Sequence, residues 1–134
     1  MKKQTGIWID GSRAVIITFS KGSEFIIEIK SDIENPIYHN SEGDKGTFMG
    51  NRHINSEKRF SERRKQQTEQ FLKSVVEEIE DTDELYVFGP AEMKTKLKKE
   101  IAEITLHNKL KAVETASKMT TNQMVAKVKK YYNL

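Results

Sequence analysis

The residues best suited to chemistry lie in one stretch of this 134-residue chain, "GDKGTFMGNRHINSEKRFSERRKQ", residues 43–66. Between residues 45 and 65, here called the basic segment, seven Lys and Arg face two Asp and Glu. Residues 1–44 carry a net charge of −2 and residues 66–134 are balanced. Because a local excess of cations attracts anions, the basic segment indicates a phosphate-rich partner. The alternative is a solvated helix face that is merely basic.

The residue types in the basic segment favour RNA. The planar guanidinium of arginine suits phosphate binding and base stacking better than the point charge of lysine. Phe48 and His53 supply rings that can stack on an exposed base. The residues predicted to contact nucleic acid are Arg52, His53, Lys58, Arg59, Arg63, Arg64 and Lys65.

Other patterns give little support for an enzyme. His39, His53 and His107 are far apart, show no HxxxH or HExxH spacing, and have no cysteine in the chain as a partner. No G-x-S-x-G turn is present, and "GPAEMKTK" lacks the second glycine of a phosphate-binding loop. The sequence therefore predicts no catalytic residue, no metal site and no cofactor.

The first third of the chain predicts three antiparallel strands. The runs "TGIWID", "RAVIITF" and "EFIIEIK" are rich in Ile, Val and aromatic residues, and turn sequences at residues 10–12 and 20–23 separate them. Residues 32–55 contain Pro36 and three of the seven glycines without any sustained periodicity. They are predicted to form a flexible loop, and a loop of this length is a candidate site.

The rest of the chain alternates helix and strand. A helix is predicted from about residue 56 to 80, with one apolar face formed by Phe71, Leu72, Val75, Val76 and Ile79. "ELYVFGP" predicts a strand. Pro90 is predicted to occupy the first position of a helix that ends near residue 103, and "KLKAVETA" predicts the last strand. The last helix lies in "KMTTNQMVAKVKKYY", where Thr120 and Gln123 predict a capping box.

The element order βββαβαβα predicts one α/β domain over residues 1–134. It is the layout of a ribonuclease H-like fold: a mixed five-stranded sheet in the order 3-2-1-4-5 with helices packed on it. Nucleases of this fold hold two metal ions with carboxylates that include the ends of the first and fourth strands. Asp10 ends the first strand, but the fourth ends at Gly89-Pro90. Asp10 is therefore predicted to stabilise the turn that follows the first strand. A metal-dependent nuclease remains the alternative.

Composition limits the setting in which the protein acts. The chain has no cysteine, which fits a reducing compartment. The apolar run at the N-terminus breaks at Asp10, too early for a signal peptide, and no stretch approaches the ~20 apolar residues of a membrane span. We expect a cytoplasmic protein without membrane contact.

Three motifs resemble a known family. "GIWIDGSRAVII", "YVFGPAEMKTKLKKEI" and "VETASKMTTNQMVAKVKKYY" are similar to bacterial relatives of the middle domain of archaeo-eukaryotic peptide-chain release factors and of the ribosome-rescue factor Pelota. In release factors of this type, the third strand is followed by a Gly-Gly-Gln loop that enters the peptidyl-transferase centre and by a basic helix that contacts ribosomal RNA. The resemblance implies that residues 46–66 occupy the position that this loop and helix have in release factors.

The chain departs from this family at the catalytic motif. Gly-Gly-Gln occurs nowhere in the sequence, so the resemblance does not imply peptidyl-tRNA hydrolysis. The first hypothesis is a non-catalytic domain that binds the ribosome or structured RNA as an accessory in rescue, hibernation or stress. The alternative is a protein-interaction or oligomerisation module with an exposed apolar patch, for which Phe48, Met49, Tyr131 and Tyr132 are the best material. The sequence leaves the oligomeric state open.

Overall fold

A computed structural model describes residues 2–31, 33, 50–104 and 108–134 of the chain, without the side chains of residues 50–58 and 60. It contains the following elements in chain order: β1 (Gln4–Ile9), β2 (Arg13–Ser20), β3 (Ser23–Lys30), α1 (Gly50–Glu78), β4 (Glu84–Gly89), α2 (Met93–Ala102), β5 (Leu110–Thr115) and α3 (Thr121–Tyr132).

The five strands form one mixed sheet in the order β3-β2-β1-β4-β5. β1 pairs with β2, and β2 with β3, in antiparallel fashion, whereas β4 lies parallel to both β1 and β5. The predicted fold class and the predicted strand order are confirmed. The turn between β2 and β3 has two residues, Lys21 and Gly22, both with positive φ, as the tight hairpin turns that match strand twist require.

Helices cover both faces of the sheet. On one face, α1 and α2 pack on a core that includes Ile7, Ile9 and Ile16, and on the other face α3 packs on Trp8, Ile17 and neighbouring residues. The alternating side chains of β1 therefore enter two separate cores, because successive residues of a strand point to opposite faces. These two cores hold the sheet between layers of helix.

Helix α1 begins earlier than its apolar face indicates. The helix starts at Gly50, whereas the sequence predicts a start near residue 56 and a loop through residue 55. The loop prediction is therefore wrong for residues 50–55, and residues 34–49 lie outside the described part of the chain. Residues 51–59 contain neither Gly nor Pro, so nothing in them stops helix propagation back from the packed half.

The ends of the other helices test two further predictions. Pro90 does not begin α2: the helix starts at Met93, because Gly89 and Ala91 both have positive φ and form a turn first. The capping box of α3 is confirmed. Thr120 Oγ1 accepts a hydrogen bond of 3.2 Å from the Gln123 backbone N–H, and the Gln123 side chain accepts one of 2.9 Å from the Thr120 N–H.

None of the helices in the described ranges is sufficiently long and apolar to span a bilayer.

Candidate nucleic-acid interface

Helix α1 has a packed half and an exposed half. Its 29 residues correspond to a length of about 43 Å. Phe71, Leu72, Val75 and Ile79 are buried against the sheet and α2. Arg59 and residues 61–66 are all exposed. The C-terminal half therefore anchors the helix, and the described side chains of the other half face solvent.

Four of the predicted contact residues have described side chains, and all four are exposed: Arg59, Arg63, Arg64 and Lys65. At about 100° per residue, Arg59 and Arg63 lie on the side of α1 opposite its buried stripe. Arg64 and Lys65 lie on the side that continues the stripe, and both side chains are exposed in the part of the chain that the structure describes. The cations therefore point outward on both sides of the helix.

The other three predicted contact residues, Arg52, His53 and Lys58, lie on the same helix, although their side chains are outside the described set. Arg52 and Lys65 are about 20 Å apart along the helix axis. All seven predicted residues thus belong to one element instead of being split between a loop and a helix. Phe48, the other predicted stacking ring, is outside the described residues.

The charges of α1 run against its helix dipole. Its first turn has no acidic residue and contains Arg52, while its last turn has no basic residue and contains Glu77 and Glu78. Acidic residues stabilise helix N-termini and basic residues stabilise C-termini by about 0.3–1 kcal/mol each, so both ends have the less stable arrangement. Helix stability therefore does not explain where these charges are placed.

A groove at the other end of α1 has the opposite charge. It has a volume of about 720 Å³ and lies between the C-terminal end of α1 and the α1-facing side of β3. Four carboxylates and two lysines line it: Glu77, Glu78, Glu80, Asp81, Lys3 and Lys21. Lys3 Nζ lies 2.6 Å from Asp81 Oδ2 and, through this hydrogen bond, lowers the pKa of Asp81. The net negative charge of this groove disfavours phosphate.

Asp10, which lies at the end of the first strand as a metal-binding carboxylate of a nuclease would, stabilises the turn that follows that strand. Its Oδ1 atom accepts hydrogen bonds of 2.8 Å from the Ser12 N–H, 2.9 Å from the Ser12 hydroxyl and 2.9 Å from the Arg13 N–H. This is the geometry by which an aspartate stabilises the turn that follows it. In the described ranges, His, Asp and Glu side chains form no group of three that would hold a metal ion. His39, His107 and the His53 side chain fall outside those ranges.

The two C-terminal tyrosines are packed and do not form an apolar surface. The Tyr131 ring stacks on Tyr86 with centroids 4.0 Å apart, and the Tyr132 hydroxyl donates a hydrogen bond of 2.8 Å to the Thr5 carbonyl. Burial raises the pKa of the Tyr132 hydroxyl. Their predicted role as exposed interface residues is therefore wrong, because α3 turns them towards the sheet.

The exposed apolar patch lies on β3 instead. Phe25, Ile26 and Ile27 are 55%, 45% and 41% exposed. Sequence reasoning missed this patch because "EFIIEIK" has the composition of a buried strand. Its exposure depends on its place at the edge of the sheet, which the strand order decides.

Comparisons with known proteins assign the chain to no family. No protein-family model matches the chain, and no curated protein has a significantly similar sequence. Among solved structures, it is similar to the crystal structure of an archaeal translation termination factor, aRF1, with 15% sequence identity and a TM-score of 0.49. The alignment covers 98% of this chain but only 35% of that chain. A likeness at this level assigns no activity.

Proposed function

We propose that this chain binds structured RNA through the helical part of its basic segment. The observation that carries the proposal is the exposure of Arg59, Arg63, Arg64 and Lys65 on the half of α1 that precedes its buried stripe. Phosphate contacts supply most of the affinity of proteins for nucleic acid. A helix that extends cations into solvent fits this role.

The arrangement of the cations favours a folded RNA over a flat anionic surface. Arg59 and Arg63 lie on one side of the helix, and Arg64 and Lys65 lie on the other. A flat surface would contact only one of these pairs. A crevice of folded RNA has phosphates on both walls and would contact both pairs, with the helix lying between them.

The ribosome is the RNA particle to test first. The sequence motifs that resemble the release-factor and Pelota middle domain make a translation-associated accessory the natural hypothesis, acting in rescue, hibernation or stress. Because the chain contains no Gly-Gly-Gln, the proposal does not include peptidyl-tRNA hydrolysis. A cytoplasmic place of action follows from a ribosomal partner.

The proposed function is binding without catalysis. Asp10 Oδ1 already accepts three hydrogen bonds within its own turn, which supports a structural role for this carboxylate. The β4 strand ends at Gly89, so the position that a second carboxylate would need holds none. These two observations favour an RNA-binding domain over a metal-dependent nuclease.

Cosedimentation tests the proposal. The purified full-length protein is centrifuged with ribosomes at low salt, and in parallel its affinity for a structured RNA is measured. We expect binding that weakens steeply as salt increases, because phosphate contacts release counterions. Absence of binding to both ribosomes and RNA would overturn the proposal and favour a protein-interaction module on the same fold.

A further inference from the structure

Strand β3 forms an edge of the sheet that the described residues leave open. It has eight residues and lies at the end of the sheet, with β2 as its only neighbour among the described strands. Seven of those residues are exposed, and three of them are the large apolar residues Phe25, Ile26 and Ile27. Long apolar edge strands are templates for pairing with another strand. The opposite edge, β5, is shorter, and no large apolar side chain on it is exposed.

The pairing of β3 with β2 decides which backbone groups face outward. Ser20 and Ser23 are the opposed pair that closes the two-residue hairpin, and such a closing pair is hydrogen-bonded. At the other end, the Ser31 N–H donates a hydrogen bond of 2.9 Å to the Ser12 carbonyl. The odd-numbered residues therefore bond to β2. The even-numbered residues direct their N–H and C=O groups to the outer edge: Glu24, Ile26, Glu28 and Lys30.

We infer that β3 pairs antiparallel with β3 of a second copy, with Ile27 on the two-fold axis. Only registers that oppose even-numbered residues can form this ladder. Centring the pair on Ile26 sets Glu24 against the partner's Glu28, and centring it on Glu28 opposes two glutamates directly. Centring it on Ile27 sets Glu24 against the partner's Lys30 at both ends. Centring it on Ile29 also opposes Glu28 and the partner's Lys30, but the two strands then overlap over residues 28–30 alone. Charge complementarity over a long overlap thus selects the register centred on Ile27.

The remaining positions in this register are also compatible. Ile27 meets the partner's Ile27, and Phe25 meets the partner's Ile29, in the non-hydrogen-bonded pairs where side chains lie closest. Ile26 faces the partner's Glu28, a residue whose carboxylate already lies 3.2 Å from Arg13 within its own subunit. The two sheets become one continuous sheet of ten strands, and each apolar edge is covered by its own copy.

This dimer is independent of the proposed RNA binding. Lys30 and Ile29 lie beside residues 67–74 of α1, whereas Phe25 and Ile27 lie beside residues 77–81, so α1 runs antiparallel to β3. The exposed half of α1 consequently extends past the Lys30 end of its strand. The two-fold axis sends the two exposed halves in opposite directions.

Sedimentation equilibrium of the full-length protein tests the inference by charge exchange. We expect a concentration-dependent dimer of the unmodified protein. Lys30→Glu and Glu24→Lys each create two like-charge pairs and should raise the dimer Kd by about tenfold or more. The double variant, which combines Glu24→Lys with Lys30→Glu, again sets opposite charges against each other at both ends. It should return the Kd to within roughly threefold of the original value.

Two controls make the result specific. Lys111→Glu makes the same charge change on the other edge strand and should leave the dimer Kd unchanged. Glu24 also lies 3.9 Å from Lys129 within the subunit, but an exposed pair of this kind contributes little to folding. Circular dichroism and thermal melting confirm that each variant is folded. A monomer at every concentration, or a dimer that the single variants leave intact, would overturn the inference, as would failure of the double variant to restore association.

Discussion

A Cβ atom on Gly6 would lie 2.3 Å from Cγ2 of Val128. Helix α3 thus packs directly on the backbone of β1, and this contact needs a residue without a side chain at position 6. Both residues belong to the interior, since Val128 is completely buried. The close approach holds the last helix of the chain against its first strand.

Gly6→Ala should destabilise the fold by about 1–3 kcal/mol, because the added methyl group displaces α3. The measurement is urea denaturation followed by circular dichroism. Gly11→Ala is the matched control, since nothing lies within 4 Å of the Cβ position there. Combining Gly6→Ala with Val128→Ala should cost less than the sum of the two single changes. Additive costs would show that the two residues do not compete for the same space.

Asp10→Ala should destabilise the turn after β1 by roughly 1 kcal/mol, whereas Asp10→Asn should cost less. The asparagine keeps a side-chain oxygen that accepts from the Ser12 and Arg13 N–H groups, and alanine removes it. Thermal melting measures both effects. The same proteins are incubated with RNA and Mg²⁺ or Mn²⁺, and we expect no cleavage by any of them. Cleavage by the unmodified protein that Asp10→Asn abolishes would instead assign Asp10 to a metal site.

The order of the elements follows from the sequence because each strand and helix has its own local signal. The hairpin turn, the apolar run of β1 and the capping box of Thr120 and Gln123 all act over a few residues. The residues at which α1 and α2 begin could not be predicted from the sequence in this way. Gly50 begins α1 well before the buried stripe of that helix starts at Phe71, and Ala91 adopts a positive φ that its residue type disfavours.

Tyr132→Phe should make the protein less sensitive to alkaline pH. Burial raises the pKa of this hydroxyl above its ordinary value of 10 in the folded state. The unfolded chain therefore loses this proton first as pH rises, so the stability that the raised pKa contributes is complete below about pH 10 and declines above it. One such group accounts for up to about 1.4 kcal/mol per pH unit.

The measurement compares thermal midpoints at neutral and alkaline pH. At neutral pH the variant should be the less stable protein by about 1 kcal/mol, because the Thr5 carbonyl loses its hydrogen bond from Tyr132. Above about pH 10 the difference between the two proteins should narrow. Tyr86 and Tyr131 also have raised pKa values, so the variant should still lose part of its stability at alkaline pH. Equal alkaline losses in both proteins would show that Tyr132 does not contribute to this pH dependence.

The candidate site is only partly visible in the sequence, for a physical reason. Net charge can be counted without a fold, so the basic segment is evident from composition. Which cations share a face of a helix depends on where the helix begins, and the exposure of Arg64 is a property of the folded chain that its neighbours in sequence do not reveal. The apolar edge of β3 depends on strand order and could not be found from the residues of β3 alone.

We expect the basic segment to contact RNA on both sides of α1. Arg59→Glu and Arg64→Glu remove one cation from each side, while both residues are exposed and contribute little to the core. Arg59→Glu also sets an acid four residues before Arg63, a pairing worth about 0.2–0.5 kcal/mol to the helix, so folding should not suffer. Lys98→Glu, an exposed residue of α2, is the control with the same change in charge.

The most direct test is the slope of log affinity for a ribosomal RNA fragment against log salt concentration. Each Arg→Glu variant should bind more weakly, and its slope should flatten by roughly 0.7–0.9 for each phosphate that the variant no longer neutralises. The Lys98→Glu control should keep both the affinity and the slope of the unmodified protein. Affinity and slope that survive the reversal of Arg59 and Arg64 would contradict the proposed RNA binding, because the exposed half of α1 would then not be the surface that meets RNA.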